Sequence, residues 1–95
     1  MEPNFINKLT LSERLKIFEY LNNKYPEYEW DWYESIYKEE KGNDIEEQFK
    51  FYDINEEHFI YVNKYIYDKF REHRYEVKIS CNWEIIYKYT YNYDK

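Results

Sequence analysis

Ninety-five residues with one glycine, two prolines and one cysteine bound a single small domain and exclude the large nucleotide-binding and barrel enzymes. A lone cysteine excludes an internal disulfide framework. No apolar run is long enough for a membrane helix and no signal-peptide pattern opens the chain, so the cytoplasm, a host's if the gene is phage-borne, is the expected compartment. The net charge of −6 is uneven: residues 26–57 hold twelve acids against Lys38, Lys41 and Lys50, whereas both flanks are slightly basic.

A charged fraction of 36% argues for disorder, but 14 Tyr, 6 Phe and 3 Trp argue for a folded core. Alanine is absent, so Ile, Phe, Trp and Tyr must fill that core. Tyrosines in excess of what a small core can satisfy belong on the surface, where Tyr is a preferred interface residue. Residues with AT-rich codons (Phe, Tyr, Met, Ile, Asn, Lys) total 51 and those with GC-rich codons six, which points to an AT-rich bacterial, phage or mobile-element gene.

Residues 1–9 read as an irregular arm that Phe5, Ile6 and Leu9 tuck onto the core. Thr10-Leu11-Ser12-Glu13 fits a capping box opening a helix over about 11–24, with Leu11, Leu15, Phe18 and Leu21 on one face. Asn22-Asn23 and Pro26 end it. Glu27-Tyr28-Glu29-Trp30-Asp31-Trp32 alternates acid and aromatic, which reads as a strand over 27–37. Pro26, an acidic first turn and Gly42 also fit a helix there, and the aromatics favour the strand. Lys41-Gly42-Asn43-Asp44 is a turn, and 47–54 a second strand with Phe49 and Phe51 on one face.

Asn55 followed by Glu56-Glu57 resembles a helix start. The predicted helix runs over 56–73 with Phe59, Val62, Ile66 and Phe70 buried. From Tyr75 to Tyr93 every odd position but none of the polar even ones is apolar or aromatic, Ile86 being the one even-numbered exception. A two-residue hairpin loop would flip this parity, so the tail is one long bent strand or a hairpin with an odd loop such as Ser80-Cys81-Asn82. The expected fold is therefore α+β: two layers, order α-β-β-α-β(-β), with two helices on one face of a three- to four-stranded antiparallel sheet.

The inventory for catalysis is thin. No Walker loop, GxSxG, GxGxxG, HExxH or CxxC occurs. His58 and His73 fall at opposite ends of the predicted helix, roughly 22 Å apart at 1.5 Å per residue, too far to share a metal. Cys81 alternates with Ile79 and Trp83 as a small buried residue would. No cofactor, metal site or catalytic residue is expected. Direct nucleic-acid binding is disfavoured because a base-stacking platform needs a positive groove.

What remains is a surface of carboxylates interleaved with aromatics. Alternate carboxylates on a strand stand roughly 6.6–6.8 Å apart on one face and can occupy Lys/Arg clefts that normally hold phosphates. Glu27, Glu29, Trp30, Asp31, Trp32, Tyr33, Glu34, Tyr37, Glu39, Glu40, Asp44, Glu46 and Glu47 are the candidate protein-binding residues. In size, charge and composition the chain is similar to the small acidic inhibitors of phages and mobile elements, such as anti-CRISPR and anti-restriction proteins. That profile implies a non-enzymatic inhibitor of a basic, nucleic-acid-handling protein or complex. The alternatives are an immunity protein or antitoxin against a nuclease toxin, or a phage assembly subunit. The Tyr-rich C-terminal strand is a candidate homodimer edge.

Overall fold

The computed structural model describes residues 8–93. In chain order it holds helix α1 (Leu11–Lys24) and strands β1 (Trp30–Lys41), β2 (Asp44–Asp53), β3 (Phe59–Lys69), β4 (Arg74–Cys81) and β5 (Glu84–Asn92). A 3₁₀ turn, Phe70–Glu72, links β3 to β4. The strands form one antiparallel meander in the order β1-β2-β3-β4-β5. This corrects the expected fold: the described residues hold one α-helix, and the sheet has five strands. Helix α1 is neither long nor apolar enough to cross a membrane.

Both bonds of the capping box form. Glu13 N donates to Thr10 Oγ1 at 3.1 Å, and Thr10 N donates to Glu13 Oε1 at 2.8 Å. The buried face of α1 keeps Phe18 and Leu21 of the expected stripe but not Leu11 and Leu15. Glu13, Ile17 and Leu21 face the sheet, while Leu11 and Leu15 are 63% and 61% exposed. The reason is Glu13, which the capping box holds inward and which meets Lys64 of β3 at 2.9 Å. Leu9 is buried as expected; Phe5 and Ile6 lie outside the described residues.

The region expected as a second helix is the central strand β3. Ile60, Val62, Lys64 and Ile66 point toward α1, and Phe59, Tyr61, Tyr65 and Tyr67 point away. The helix-start signal belongs to a tight loop instead. The Asp53 carboxylate accepts from Glu57 N at 3.0 Å and His58 N at 3.1 Å, and Glu56 takes a left-handed φ of 59°. Asp53 thus closes the β2–β3 connection as an Asx-type turn. His58 lies in that loop, and His73 adopts a φ of 55° after the 3₁₀ turn, so neither sits on a helix.

The tail is a hairpin, but its loop has two residues, Asn82 and Trp83, at φ 54° and 67°. Two positive φ values in succession are the type I′ pattern. Parity is restored by a bulge: Ser80 pairs with Ile85 but Ile79 pairs with Tyr87. The extra residue is Ile86, the lone even-numbered apolar residue, and it packs on the core. Val77, Ile79 and Cys81 are buried and Tyr87 and Tyr89 half-buried as the alternation requires, whereas Trp83 and Ile85 are exposed.

The core gathers Leu9, Ile17, Leu21, Phe49, Phe51, Val62, Ile79 and Cys81 between α1 and one sheet face. Phe18 meets Phe51 edge-on at 5.3 Å, and Tyr33 stacks on Phe51 at 4.9 Å. Ile66 and Val77 form a second cluster with Ile45, Tyr75 and Tyr89. The buried polar group of Glu13 and Lys64 joins α1 to the sheet beside them. Lys64 Nζ also donates to the Lys8 carbonyl at 2.8 Å, and Tyr89 OH donates to Glu13 Oε2 at 2.5 Å. Burial pushes the Lys64 ammonium below its ordinary pKa, and the adjoining Glu13 carboxylate opposes that push.

Candidate protein-binding surface

The sheet has a covered face and an open one, and the alternation along each strand decides which side chains each receives. On the open face β1 contributes Trp32, Glu34, Tyr37 and Glu39, β2 contributes Glu46, Gln48, Lys50 and Tyr52, and β3 contributes Phe59, Tyr61, Tyr65 and Tyr67. β1 bulges between Trp30 and Trp32 and between Ser35 and Tyr37; the second brings Tyr37 to the same side as Trp32, whereas Trp30 and Tyr33 pack on the core. Trp32 lies flat on Tyr52, with centroids 4.2 Å apart and planes 11° apart. The Tyr52 hydroxyl donates to Glu34, a bond that together with burial raises the phenol to about 12. Lys50 Nζ sits 4.0 Å from the Phe59 ring centroid.

Further along the same face, Glu39 stands directly opposite Glu46. Like charges across a strand pair are unfavourable. Lys41 relieves Glu39 at 3.7 Å, and Tyr37 OH donates to Glu39 at 3.0 Å. Glu39, Lys41, Asp44, Glu46, Tyr65 and Tyr67 line a shallow cavity of about 200 Å³. Asp44 is partly engaged, since its carboxylate accepts from Asp68 N at 2.9 Å.

A second acidic-aromatic region lies at the end of the sheet where β1 begins. Ile54 N donates to the Glu29 carbonyl at 2.7 Å, which lays the 26–29 segment beside the β2–β3 loop. Tyr28 packs on the His58 ring at 4.2 Å, and Trp30 meets Tyr28 and Tyr25 edge-on at 5.8 and 6.2 Å. Tyr25, Tyr28, Trp30, Phe59 and Ile60, with Glu57 and His58, line a cavity of about 350 Å³. Glu27, Glu29 and Asp31, which flank Tyr28 and Trp30 in the chain, and Glu56 and Glu57 are all exposed. Among the described residues none of these five forms an ion pair.

The loop behind this cavity is held by Asp53. Burial pushes its carboxyl up, but the His58 and Glu57 amides and the His58 ring outweigh that and hold it below its ordinary value.

The thirteen residues expected to bind thus divide. Glu27, Glu29, Trp30 and Asp31 belong to the loop end. Trp32, Glu34, Tyr37, Glu39, Asp44 and Glu46 belong to the open face or its rim. Glu40 is exposed and 4.0 Å from Lys38. Tyr33 stacks on Phe51 within the core. Glu47 is buried, accepts from Ser35 Oγ at 2.5 Å, and stands in register between Lys38 and Lys64. Its Oε1 has no hydrogen-bond partner among the described residues.

Sequence reasoning missed Tyr25, Tyr28, Phe59, Tyr65 and Tyr67 as surface aromatics, and above all Trp83. That indole is fully exposed at the tip of the β4–β5 hairpin. The available signal was Asn82, a favoured first residue of a type I′ turn, which placed Trp83 in the turn and not in the strand.

For chemistry the described residues offer little convergence. No group of three His, Cys, Asp or Glu side chains among them is arranged to hold a metal ion. Cys81 is buried, and burial pushes its thiol up to about 11, with Glu84 adding and Lys24 opposing. Comparison with known proteins finds no family model, no curated protein and no solved structure that matches the chain.

Proposed function

We propose that the chain is a small acidic, non-enzymatic inhibitor that binds a basic, nucleic-acid-handling protein. The observation that carries this reading is the open face of β1 and β2. There Trp32, Tyr52 and Tyr37 stand beside Glu34, Glu39 and Glu46, and the single helix lies on the opposite side. Aromatics of this kind supply the desolvated centre of protein interfaces. Carboxylates around them speed encounter with a positive partner and reject negative ones. A partner surface built to hold phosphates is positive, and these carboxylates offer it the sign of charge that phosphates do.

The test is capture by the immobilised full chain from a bacterial lysate, followed by mass spectrometry. The expected result is retention of a basic nucleic-acid-binding protein that added duplex DNA displaces. Retention only of proteins that DNA does not displace would contradict the reading.

A second reading, an assembly subunit, draws on one observation. Strand β5 is an edge of the sheet, nine residues long and rich in Ile and Tyr. Unprotected edges of this kind pair with one another. Light scattering separates the two, since an assembly subunit would be oligomeric without a partner.

A further inference from the structure

We propose that the cavity between Tyr25, Tyr28, Trp30 and Glu57 receives one arginine side chain of the partner; this deepens the function proposed above and names the chemistry the loop end selects. Three features of the site argue for it. The walls are aromatic: Tyr25, Tyr28, Trp30 and Phe59. Cations bind over such rings through the ring quadrupole. Within the fold, Lys50 lies over the Phe59 ring at 4.0 Å and the His58 ring packs on Tyr28 at 4.2 Å, whereas no Lys or Arg of the described residues lies over Tyr25, Tyr28 or Trp30.

The second feature is charge. Glu57 is part of the wall; it and the exposed carboxylates next to wall residues in the chain, Glu27, Glu29, Asp31 and Glu56, form no ion pair among the described residues. The helix end and the two loops that carry the walls are fixed by backbone bonds, Ile54 N to Glu29 O at 2.7 Å and Tyr25 N to Leu21 O at 2.8 Å, and by the Asp53 carboxylate. An arriving cation therefore meets walls already in place, which limits the ordering cost of binding.

The third feature is shape. About 350 Å³ is more than an ammonium group needs and suits a whole side chain with flanking backbone. Guanidinium is planar, weakly hydrated and able to stack on a ring while its edge forks onto a carboxylate. Lysine can offer only a strongly hydrated point charge. The flat aromatic walls with Glu57 at one side match the first geometry.

The experiment uses the ¹⁵N-labelled full chain and three capped tripeptides, Gly-Arg-Gly, Gly-Lys-Gly and Gly-Gln-Gly. The three tryptophan indole signals are the readout. The expected result is a saturable shift of the Trp30 indole with the arginine peptide, at least threefold weaker affinity for the lysine peptide, and none for the glutamine peptide. The Trp83 indole lines no part of this cavity but follows Asn82, whose side chain donates to Tyr25 OH at 2.6 Å, so it should move less than that of Trp30.

Glu57→Gln should weaken the arginine peptide several-fold, and Tyr28→Leu should do the same with the rest of the spectrum unchanged. If Tyr28→Leu unfolds, Glu57→Gln alone decides. A Trp30 signal that stays still, a Trp83 shift of equal size, equal or tighter binding of the lysine peptide, or full affinity in Glu57→Gln would each overturn the proposal. No partner protein enters this measurement. Failure here alongside DNA-displaceable capture of a basic protein sinks the pocket and leaves the inhibitor reading intact; a clean arginine response without such capture does the reverse.

Discussion

Lys64 shows at the scale of one residue how this chain resists a simple hydrophobic reading. It occupies an inward position of the central strand, between Val62 and Ile66, and is 1% exposed. Its charge is tolerated because Glu13, itself held by the capping box and by Tyr89, lies at 2.9 Å. Removing one member of a buried pair costs about 3–5 kcal/mol, because the other is left uncompensated. Lys64→Met should therefore lower the urea unfolding free energy by about that amount. The double variant Lys64→Met/Glu13→Gln should cost clearly less than the two single changes added together. Additive losses would mean that the two groups do not act as a pair.

Asp53 supplies a pH-dependent counterpart. Its carboxyl is lower in the folded chain than its ordinary value of 3.8, so its contribution is present above that value and fades as pH falls through the lower folded value. The stability of the native chain should fall on acidification below about pH 4, and the Asp53→Asn curve should be flatter over that window. Parallel curves from thermal melts at pH 2–6 would remove Asp53 from the loop's support. Cys81, buried with a raised thiol pKa, should resist iodoacetamide at pH 7.5 in the native chain and react after unfolding in urea.

At the scale of elements, the β4–β5 hairpin separates stability from function. Trp83 carries a left-handed backbone and a fully exposed side chain. A left-handed residue with a Cβ costs roughly 1–2 kcal/mol. Trp83→Gly should raise stability by about 1 kcal/mol, since Asn-Gly is the favoured type I′ pair. A melting temperature that falls would show that Trp83 supports the fold after all.

The same hairpin shows what sequence could and could not convey. The alternation from Tyr75 onward was plain, and so was its exception, Ile86. That one residue marks the bulge which allows a two-residue turn, but a bulge and an odd loop restore parity equally well. Helix α1 was legible in its bounds because capping is local, whereas its buried face was set by a partner 51 residues away. Strand β3 was hidden for three reasons. Its outward face is as aromatic as its inward face is apolar, so a period of 3.6 fits as well as a period of two. Lys64 also breaks the inward row, and Asn55-Glu56-Glu57 imitates a helix start where Asp53 makes a turn. Of the expected binding residues, the acidic and aromatic composition of 27–47 was visible. The division between faces was not, because the β1 bulges reset the parity of that strand.

At the scale of the whole molecule, one helix covers one face of a five-stranded sheet, and the acidic middle third becomes a hairpin edge and a loop end. Both regions pair carboxylates with aromatics, and both are exposed in a chain whose remaining charge is slightly positive. Such a distribution gives the molecule a negative side that should dominate its long-range encounters. The most direct measurement is the association rate of the full chain with the basic protein it captures, at low and high salt, beside the variant Glu27→Lys/Glu29→Lys/Asp31→Lys. The account predicts an association rate at least tenfold slower for the variant at low salt, convergence of the two at high salt, and nearly equal dissociation rates. Equal association rates at low salt would contradict it.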